Sequence, residues 1–189
     1  MKLFDEIPYI ETDELILRRI SPEDAPFITE MNNNPMVRRY LPVFLAEYSF
    51  KNTEEAVSAM YGSIFENRES LFLGIYPKDT NEFAGIIEVY NYEPKHSKAS
   101  IGSRLRQSCW GNGIARKATI AIIDYLFCET DILCITAHAI SENLASNKIL
   151  PSLGFTLREK EVLDDWGYKA IVNKYYLYKP GSGYVYIKD

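Results

Sequence analysis

The chain has 189 residues and a formal net charge of −5 at pH 7. Its composition, 47% hydrophobic and 25% charged, is typical of a soluble globular protein and not of a disordered or membrane one. The acidic balance argues against nonspecific nucleic-acid binding, which depends on many Lys and Arg contacts to phosphate. We therefore expect a single domain over residues 1–189, with no nucleic-acid and no membrane partner.

The N-terminal segment and the cysteines bear on cellular location. The segment MKLFDEIPYIETDE is interrupted by acids and a proline, so it does not fit the apolar core of a signal peptide. Cys109, Cys128 and Cys134 have no metal-ligand spacing, and any disulfide scheme leaves one of them unpaired. The sequence therefore predicts a cytoplasmic protein with reduced thiols and no bound metal.

The first third of the chain predicts a strand followed by two helices. Glu14 to Ile20 has the composition of a strand, and Ser21 with Pro22 behind it is typical of a helix start. After a loop, apolar residues four positions apart predict a second helix over about Thr53 to Asn67.

Three successive antiparallel strands are predicted next. They are Leu71 to Tyr76, Phe83 to Tyr92 and Lys98 to Leu105. The turn-rich segment PKDTNE joins the first two in the manner of a hairpin. The third has the short alternating pattern of a half-buried strand.

The following segment predicts a long helix, a buried strand and a short helix. Apolar residues three and four apart indicate a helix that runs to about Phe127. The apolar run Ile132 to Ile140 is typical of a buried central strand. A helix near Asn143 to Leu153 ends at Gly154, and Pro151 should make it short or bent.

The C-terminal part predicts a last hairpin that turns near Asp164 to Tyr168. The tail, residues 180–189, is compatible with a mobile end or with an added edge strand. Strands interrupted by two early and two late helices indicate an α+β fold.

A glycine-rich junction joins the third antiparallel strand to the long helix. The first turn of a helix has unpaired N–H groups and a partial positive charge, so an anion is stabilised there. Gly111 and Gly113 allow a ligand to approach the backbone, and Arg116 and Lys117 add positive charge. Two glycines before a helix also occur in ordinary tight loops. A dinucleotide fingerprint and a Walker loop are both excluded by the residues that follow.

The combination of segments resembles the GNAT superfamily of N-acetyltransferases and, within it, the RimJ/RimL-type branch. Four segments carry the resemblance: ETDELILRRISPEDA near the N-terminus, Asn32 to Pro42, the loop Trp110 to Ala115, and Ala137 to Phe155. It implies a twisted, mostly antiparallel sheet of about six to seven strands with about four helices. In this fold the sheet opens between its two central parallel strands, here Lys98 to Leu105 and Ile132 to Ile140.

The resemblance implies acetyl-CoA as co-substrate, without a metal. Its pyrophosphate would lie on the backbone amides of the loop and its pantetheine arm along the strand end. The residues implied are Ser103, Arg104, Leu105, Trp110, Gly111, Asn112, Gly113, Ile114, Ala115, Asn143 and Ser146. Trp110 replaces the family's usual Arg or Gln. Asn143 has two interpretations, a contact to the pantetheine arm or a helix cap.

Acetyl transfer to an amine needs a proton acceptor, because amines are protonated near neutral pH. Glu88 is the first candidate base, since it interrupts an apolar strand next to the cofactor strand; an edge or solvent-facing carboxylate is the alternative. Glu161 and Asp165 are rivals. Ser146 could bond the acetyl carbonyl, protonate the thiolate, or merely bond its own helix turn. Leu150 stands where many superfamily members have a tyrosine acid.

The expected activity is direct acetyl transfer from acetyl-CoA to an amine, with a protein N-terminal α-amine as one acceptor. Small amines such as polyamines, amino acids or antibiotics are an alternative, and a non-catalytic acyl-CoA-binding module is another. Asn32 to Glu69 and Asp164 to Tyr168 are expected to frame the acceptor pocket. His138 fits best as a hydrogen-bonded core histidine. Both a monomer and a homodimer remain open.

Overall fold

The structure is a computed structural model that describes residues 2–41, 50–165 and 169–183. Its strands are β1 (Ile10–Glu11), β2 (Leu15–Arg18), β3 (Ser70–Pro77), β4 (Gly85–Glu93), β5 (Lys98–Leu105), β6 (Cys134–Ile140), β7 (Thr156–Asp165) and β8 (Lys169–Tyr178). Its helices are α1 (Ala25–Asn33), α2 (Pro35–Arg38), α3 (Thr53–Met60), α4 (Ser63–Glu66), α5 (Ile114–Glu129) and α6 (Leu144–Ser152).

Within these described ranges the strands form one eight-stranded sheet, in the order β1-β2-β3-β4-β5-β6-β8-β7. Every neighbouring pair is antiparallel except β5 and β6, which are parallel. The predicted α+β class, the mostly antiparallel sheet and the central parallel pair are confirmed. The strand count exceeds the prediction because β1 adds a two-residue strand at one edge. Four of the described helices, α1, α3, α5 and α6, exceed two turns, as expected.

The sheet has two covered faces. On one, which we call the α5 face, helices α5 and α6 pack against a core that includes Ile87, Ile101 and Ala137. On the other, the α1 face, helices α1 to α4 pack against Phe72 and Ile86. Side chains alternate between the faces along each strand, so these core residues fix the side to which their neighbours point.

The local predictions hold at most element boundaries. Strand β5 has the predicted limits. Ser21 precedes a helical segment as predicted, and its N–H donates to Asp24 Oδ2 at 3.0 Å, a hydrogen bond typical of a helix start. The predicted helix over Thr53 to Asn67 is instead broken into α3 and α4 at Gly62, whose φ and ψ of −107° and −113° are not helical. Tyr61, just before the break, donates its hydroxyl to the Phe72 carbonyl and so ties this segment to the sheet.

The sequence also made predictions about the cysteines, the C-terminal hairpin, the tail and membrane-spanning segments. All three cysteines are free thiols. The C-terminal hairpin is confirmed as β7 and β8, while its turn, residues 166–168, lies outside the described residues. The same holds for residues 184–189, where an edge strand was considered. In the part of the chain that is described, no helix combines the length and apolarity needed to span a bilayer.

Candidate functional site

The parallel strands β5 and β6 separate after a short paired stretch. Their Cα partners run from Lys98 with Cys134 to Ser100 with Thr136, where the two side-chain oxygens lie 2.8 Å apart. Beyond this point β5 continues to Leu105 and β6 to Ile140 without pairing. The predicted opening between these strands is therefore confirmed.

The backbone of β5 faces this opening with alternate residues. The Arg106 N–H donates to the Ala84 carbonyl at 2.9 Å, which fixes the even-numbered residues as those bonded to β4. The odd-numbered residues, Ser103 and Leu105 among them, therefore direct their N–H and C=O groups toward the gap. The Leu105 carbonyl accepts the indole N–H of Trp110 at 3.2 Å. Trp110 thus holds the following loop against the strand end.

The glycine-rich loop has the conformation that its sequence suggested. Gly111 and Gly113 have φ of 82° and 72°, in the left-handed region that favours glycine. Helix α5 starts at Ile114, and the Lys117 N–H donates to the Gly113 carbonyl at 3.0 Å. The amides of residues 113–116 precede this first helical hydrogen bond, so they are available to an anion. The loop therefore fits a phosphate group.

Side chains next to the loop add polar groups and positive charge. Arg116 is exposed on the first turn of α5, and Asn112 is exposed within the loop. Lys117 Nζ lies 2.5 Å from Glu14 Oε2, so its charge is shared with a carboxylate. Arg116 is therefore the cation beside the loop whose charge no described carboxylate neutralises.

A cavity of about 700 Å³ passes through the sheet at the separation of β5 and β6. Its wall on the α5 side includes Ala115, Thr119, Asn143, Ser146, Ile149 and Leu150. Its wall on the α1 side includes Tyr40, Glu88, Tyr90, Gly102, Arg104 and His138. Ser103 lies between the two walls on the strand edge. The predicted residues Glu88, Ser103, Arg104, Ala115, Asn143 and Ser146 are thus brought together, whereas Leu105 and residues 110–114 lie outside the lining.

Glu88 lies on the α1 wall and is half-buried. Its Oε1 accepts a hydrogen bond from the Ser70 hydroxyl at 2.7 Å. It therefore faces the cavity, and not open solvent as the alternative interpretation held. Two residues further along β4, burial and the charges of Glu88 and Asp164 raise the pKa of Tyr90. Tyr90 is consequently a neutral hydrogen-bond donor at physiological pH.

Asn143 and Ser146 lie at the start of α6. Asn143 caps the helix, because its Oδ1 accepts the Ser146 N–H at 3.2 Å. The Ser146 hydroxyl makes no hydrogen bond within the described part of the chain, so it does not bond its own turn. Leu150, one turn further, lines the cavity with an aliphatic side chain.

The rival acids lie elsewhere. Glu161 and Asp165 are exposed on β7 and do not line the cavity, and Asp165 pairs with Lys169 Nζ at 2.8 Å. The neighbouring Asp164 points inward instead, and its Oδ2 lies 3.1 Å from His138 Nδ1. The histidine expected in the core is hydrogen-bonded as predicted, but it forms part of the cavity wall.

Several site residues escaped the sequence analysis. Thr119 lines the cavity while its hydroxyl donates to the Ala115 carbonyl at 2.8 Å. Asn147 donates to the carbonyls of Ile140, Ser141 and Asn143, and so joins the end of β6 to the start of α6. In the sequence AISENLASN, Asn143 three residues before Ser146 indicated a helix cap, but no pattern indicated that the Asn147 side chain would bind these three carbonyls. Within the described ranges no group of three or more His, Cys, Asp or Glu side chains is arranged to hold a metal.

Comparisons with known proteins agree with this geometry. The family model described as "Acetyltransferase (GNAT) domain" matches residues 14–156. The chain is 29% identical over 179 residues to the uncharacterized N-acetyltransferase YoaA of Bacillus subtilis (strain 168), covering 94% of this chain and 92% of that protein.

Solved structures share the fold. A structure of RimL, the ribosomal L7/L12 alpha-N-protein acetyltransferase, in complex with coenzyme A is similar with a TM-score of 0.73 and 23% identity, covering 91% of this chain and 97% of that one. The Vibrio cholerae spermidine N-acetyltransferase with CoA and spermine gives 0.72 and 20%, covering 89% and 97%. Since the family model spans most of the chain, the protein belongs to the GNAT acetyltransferase family and is an acetyl-CoA-dependent transferase.

Proposed function

We propose that the protein is an N-acetyltransferase of the RimJ/RimL type that transfers acetyl directly to the α-amine of a protein N-terminus. The observation that carries this proposal is the cavity through the sheet, which joins a helix start with unpaired backbone amides on one side to a half-buried carboxylate on the other. Such a passage lets donor and acceptor approach the reacting carbon from opposite faces.

On the donor side, the amides of residues 113–116 and the exposed Arg116 would hold the pyrophosphate. The N–H and C=O groups of Ser103, which face the gap, would pair with the amides of the pantetheine arm. The Asn143 side chain is already used as a cap through Oδ1, which leaves its amide nitrogen for the arm.

On the acceptor side, Glu88 would receive a proton from the incoming ammonium, directly or through water. The Ser70 hydroxyl occupies one of its oxygens, which keeps the carboxylate oriented toward the cavity. The Ser146 hydroxyl, on the opposite wall, would then donate a hydrogen bond to the acetyl carbonyl or a proton to the departing thiolate. With Leu150 at the position of the family's tyrosine, no tyrosine acid is available there.

Two arguments favour an α-amine over an alkyl amine. An α-amine has a pKa near 8, against about 10 for an alkyl amine, so a carboxylate removes its proton at a smaller energetic cost. The likeness to RimL, described as an alpha-N-protein acetyltransferase, supports the same acceptor class. The likeness to the spermidine enzyme makes a polyamine the acceptor that a test must include.

The test measures free thiol released from acetyl-CoA by the purified chain. The acceptors are a lysine-free peptide with a free N-terminus, the same peptide with a blocked N-terminus, and spermidine. We expect saturable thiol release and one added acetyl group only with the free peptide. Turnover of spermidine alone would contradict the α-amine assignment. No thiol release with any amine, together with thermal stabilisation by acetyl-CoA, would indicate a binding module.

A further inference from the structure

Glu88 and His138 lie at the same level of the sheet, on the α1 face. Glu88 is the Cα partner of Gly102 in β5, while Gly102 and His138 each lie two residues beyond the last β5–β6 pair, Ser100 with Thr136. Strand neighbours on one level point to the same face, so the two side chains flank Gly102. Gly102 adds no side chain between the carboxylate and the imidazole, and the Tyr90 ring lies beside it, with Cε1 3.6 Å from the position of a Cβ at Gly102.

His138 has one occupied and one open nitrogen. Nδ1 is hydrogen-bonded to Asp164 Oδ2 at 3.1 Å, whereas Nε2 has no partner within the described part of the chain. Nε2 is not fully buried, and the His138 side chain lines the cavity. A carboxylate on Nδ1 places the ring proton there and leaves Nε2 as an acceptor.

We propose that His138 is a second proton acceptor of the acetyl transfer, with Asp164 as the positioning residue that orients its ring. This inference rests on the proposed N-acetyltransferase function and adds a role that Glu88 alone does not fill. An ammonium acceptor must lose two protons before it becomes an amide, and the cavity has two acceptors on opposite sides of the Gly102 gap.

The first proton leaves the ammonium for the Glu88 carboxylate, and the nitrogen lone pair then forms the C–N bond to the acetyl carbon. The second proton passes from the now positive nitrogen to His138 Nε2 as the C–S bond breaks and its electron pair goes to sulfur. The thiolate takes up one proton, so the reaction releases one proton net to solvent.

Burial and the charged groups around the His138 imidazole together favour its neutral form, which can accept a proton. Burial, with the nearby Lys174 charge, lowers the pKa of His138 below 6.5, although Asp164 and Glu159 oppose the shift. His138 is therefore neutral at pH 7 and ready to accept. The titratable and charged groups that face it are Asp164 and Glu159 from β7, Lys174 from β8, Glu88 and Tyr90 from β4, and Arg104 from β5.

Asp164 reaches His138 through an irregularity in β7. The β7–β8 register shifts by one residue between the pairs Glu159 with Lys174 and Val162 with Val172. This shift puts Asp164 on the face of Ala170 and Val172, which is also the face of His138. Without it, the exposed Leu163 would occupy that face.

The experiment compares His138→Gln with Glu88→Gln across pH, with the amine acceptor that gives the fastest thiol release. At neutral pH we expect each substitution to lower kcat by about 10²-fold. Above the pKa of the amine, the first deprotonation no longer needs Glu88, so the Glu88→Gln defect should shrink. The His138→Gln defect should persist, because the second proton must still leave.

A matched control is His96→Gln, since His96 is also paired with a carboxylate, Glu93 Oε2 at 2.9 Å, but is exposed and outside the cavity. It should leave kcat unchanged. Asp164→Asn should lower kcat more than it raises KM and displace the acidic limb of the pH–rate profile. Wild-type kcat and an unshifted limb in His138→Gln, with coenzyme A binding intact, would overturn the proposal. Absence of thiol release by the wild type would instead refute the proposed function.

Discussion

Asn173 holds Glu161 in the strand irregularity that directs Asp164 toward the cavity. The Asn173 Oδ1 accepts the Glu161 N–H at 2.9 Å, and Glu161 has a φ of 53°, in the left-handed region. Asn173 Nδ2 donates in turn to Asn147 Oδ1 at 2.7 Å, and Asn147 clamps the start of α6. One hydrogen-bond network therefore supports both walls of the cavity.

Replacing Asn173 by alanine tests this network. The change removes the acceptor of a backbone N–H and a donor to Asn147, at a buried position. We expect a loss of about 1–3 kcal/mol in the free energy of unfolding, measured by urea denaturation. Combined with Asn147→Ala, the two losses should be less than additive, because both residues belong to one network. Ser152→Ala, on the exposed part of α6, serves as control. Fully additive losses would mean that the network is not cooperative.

A second prediction concerns the loop before α5. Gly113 and Gly181 both have a φ of 72°, but only Gly113 begins the helix beside the cavity. Replacing either by alanine places a Cβ in the left-handed region, at a cost of about 1–2 kcal/mol in stability. Gly113→Ala should also weaken coenzyme A binding, measured by calorimetry, because the loop amides lose their alignment. Gly181→Ala should leave the Kd unchanged. Equal Kd values for both variants would contradict a role of the loop in binding.

The regular elements could be predicted because their signals are local. Lys98 to Leu105 alternates and is bounded by turn residues, and the structure gives β5 the same limits. The break between α3 and α4 was missed because Ala56, Met60 and Ile64 keep a helical spacing across Gly62. The break depends on contacts with the sheet, such as the one Tyr61 makes with Phe72, that no local pattern contains.

The positions of residues around the cavity could be predicted where they follow a sequence motif, but not where they depend on strand register. The loop and Glu88 could be identified from neighbouring residues in the sequence. The pair of His138 and Asp164 joins positions 26 apart and depends on the shift within β7. Asp165 was considered because RimL-like enzymes place an acid beyond the Gly-Phe pair. A shift of one residue exchanges the two sides of a strand, and here it turns Asp164 toward the cavity instead.

Filling the gap beside Gly102 is a third prediction. A Cβ at Gly102 would meet Tyr90 Cε1 at 3.6 Å, an ordinary contact, so Gly102→Ala should fold and retain activity. Gly102→Val would place branched methyl groups between Glu88 and His138, so it should raise the acceptor KM while coenzyme A binding is kept. Gly85→Ala is the contrasting variant: its Cβ would lie 2.2 Å from the Arg104 carbonyl oxygen, so we expect it to be strongly destabilised. An unchanged acceptor KM in a folded Gly102→Val protein would show that the amine passes elsewhere.

The fourth prediction links His138 to acid stability. Because burial lowers its pKa in the folded protein below 6.5, the unfolded chain binds more protons between the two pKa values. The contribution of His138 to stability is therefore complete above 6.5 and is lost as the pH falls through that window. Urea unfolding from about pH 5 to about pH 7.5 should show a flatter pH dependence for His138→Gln than for the wild type. His96→Gln, at the exposed pair with Glu93, should follow the wild-type curve. Parallel wild-type and His138→Gln curves would mean that His138 titrates alike in both states, and a burial effect on its pKa would be refuted.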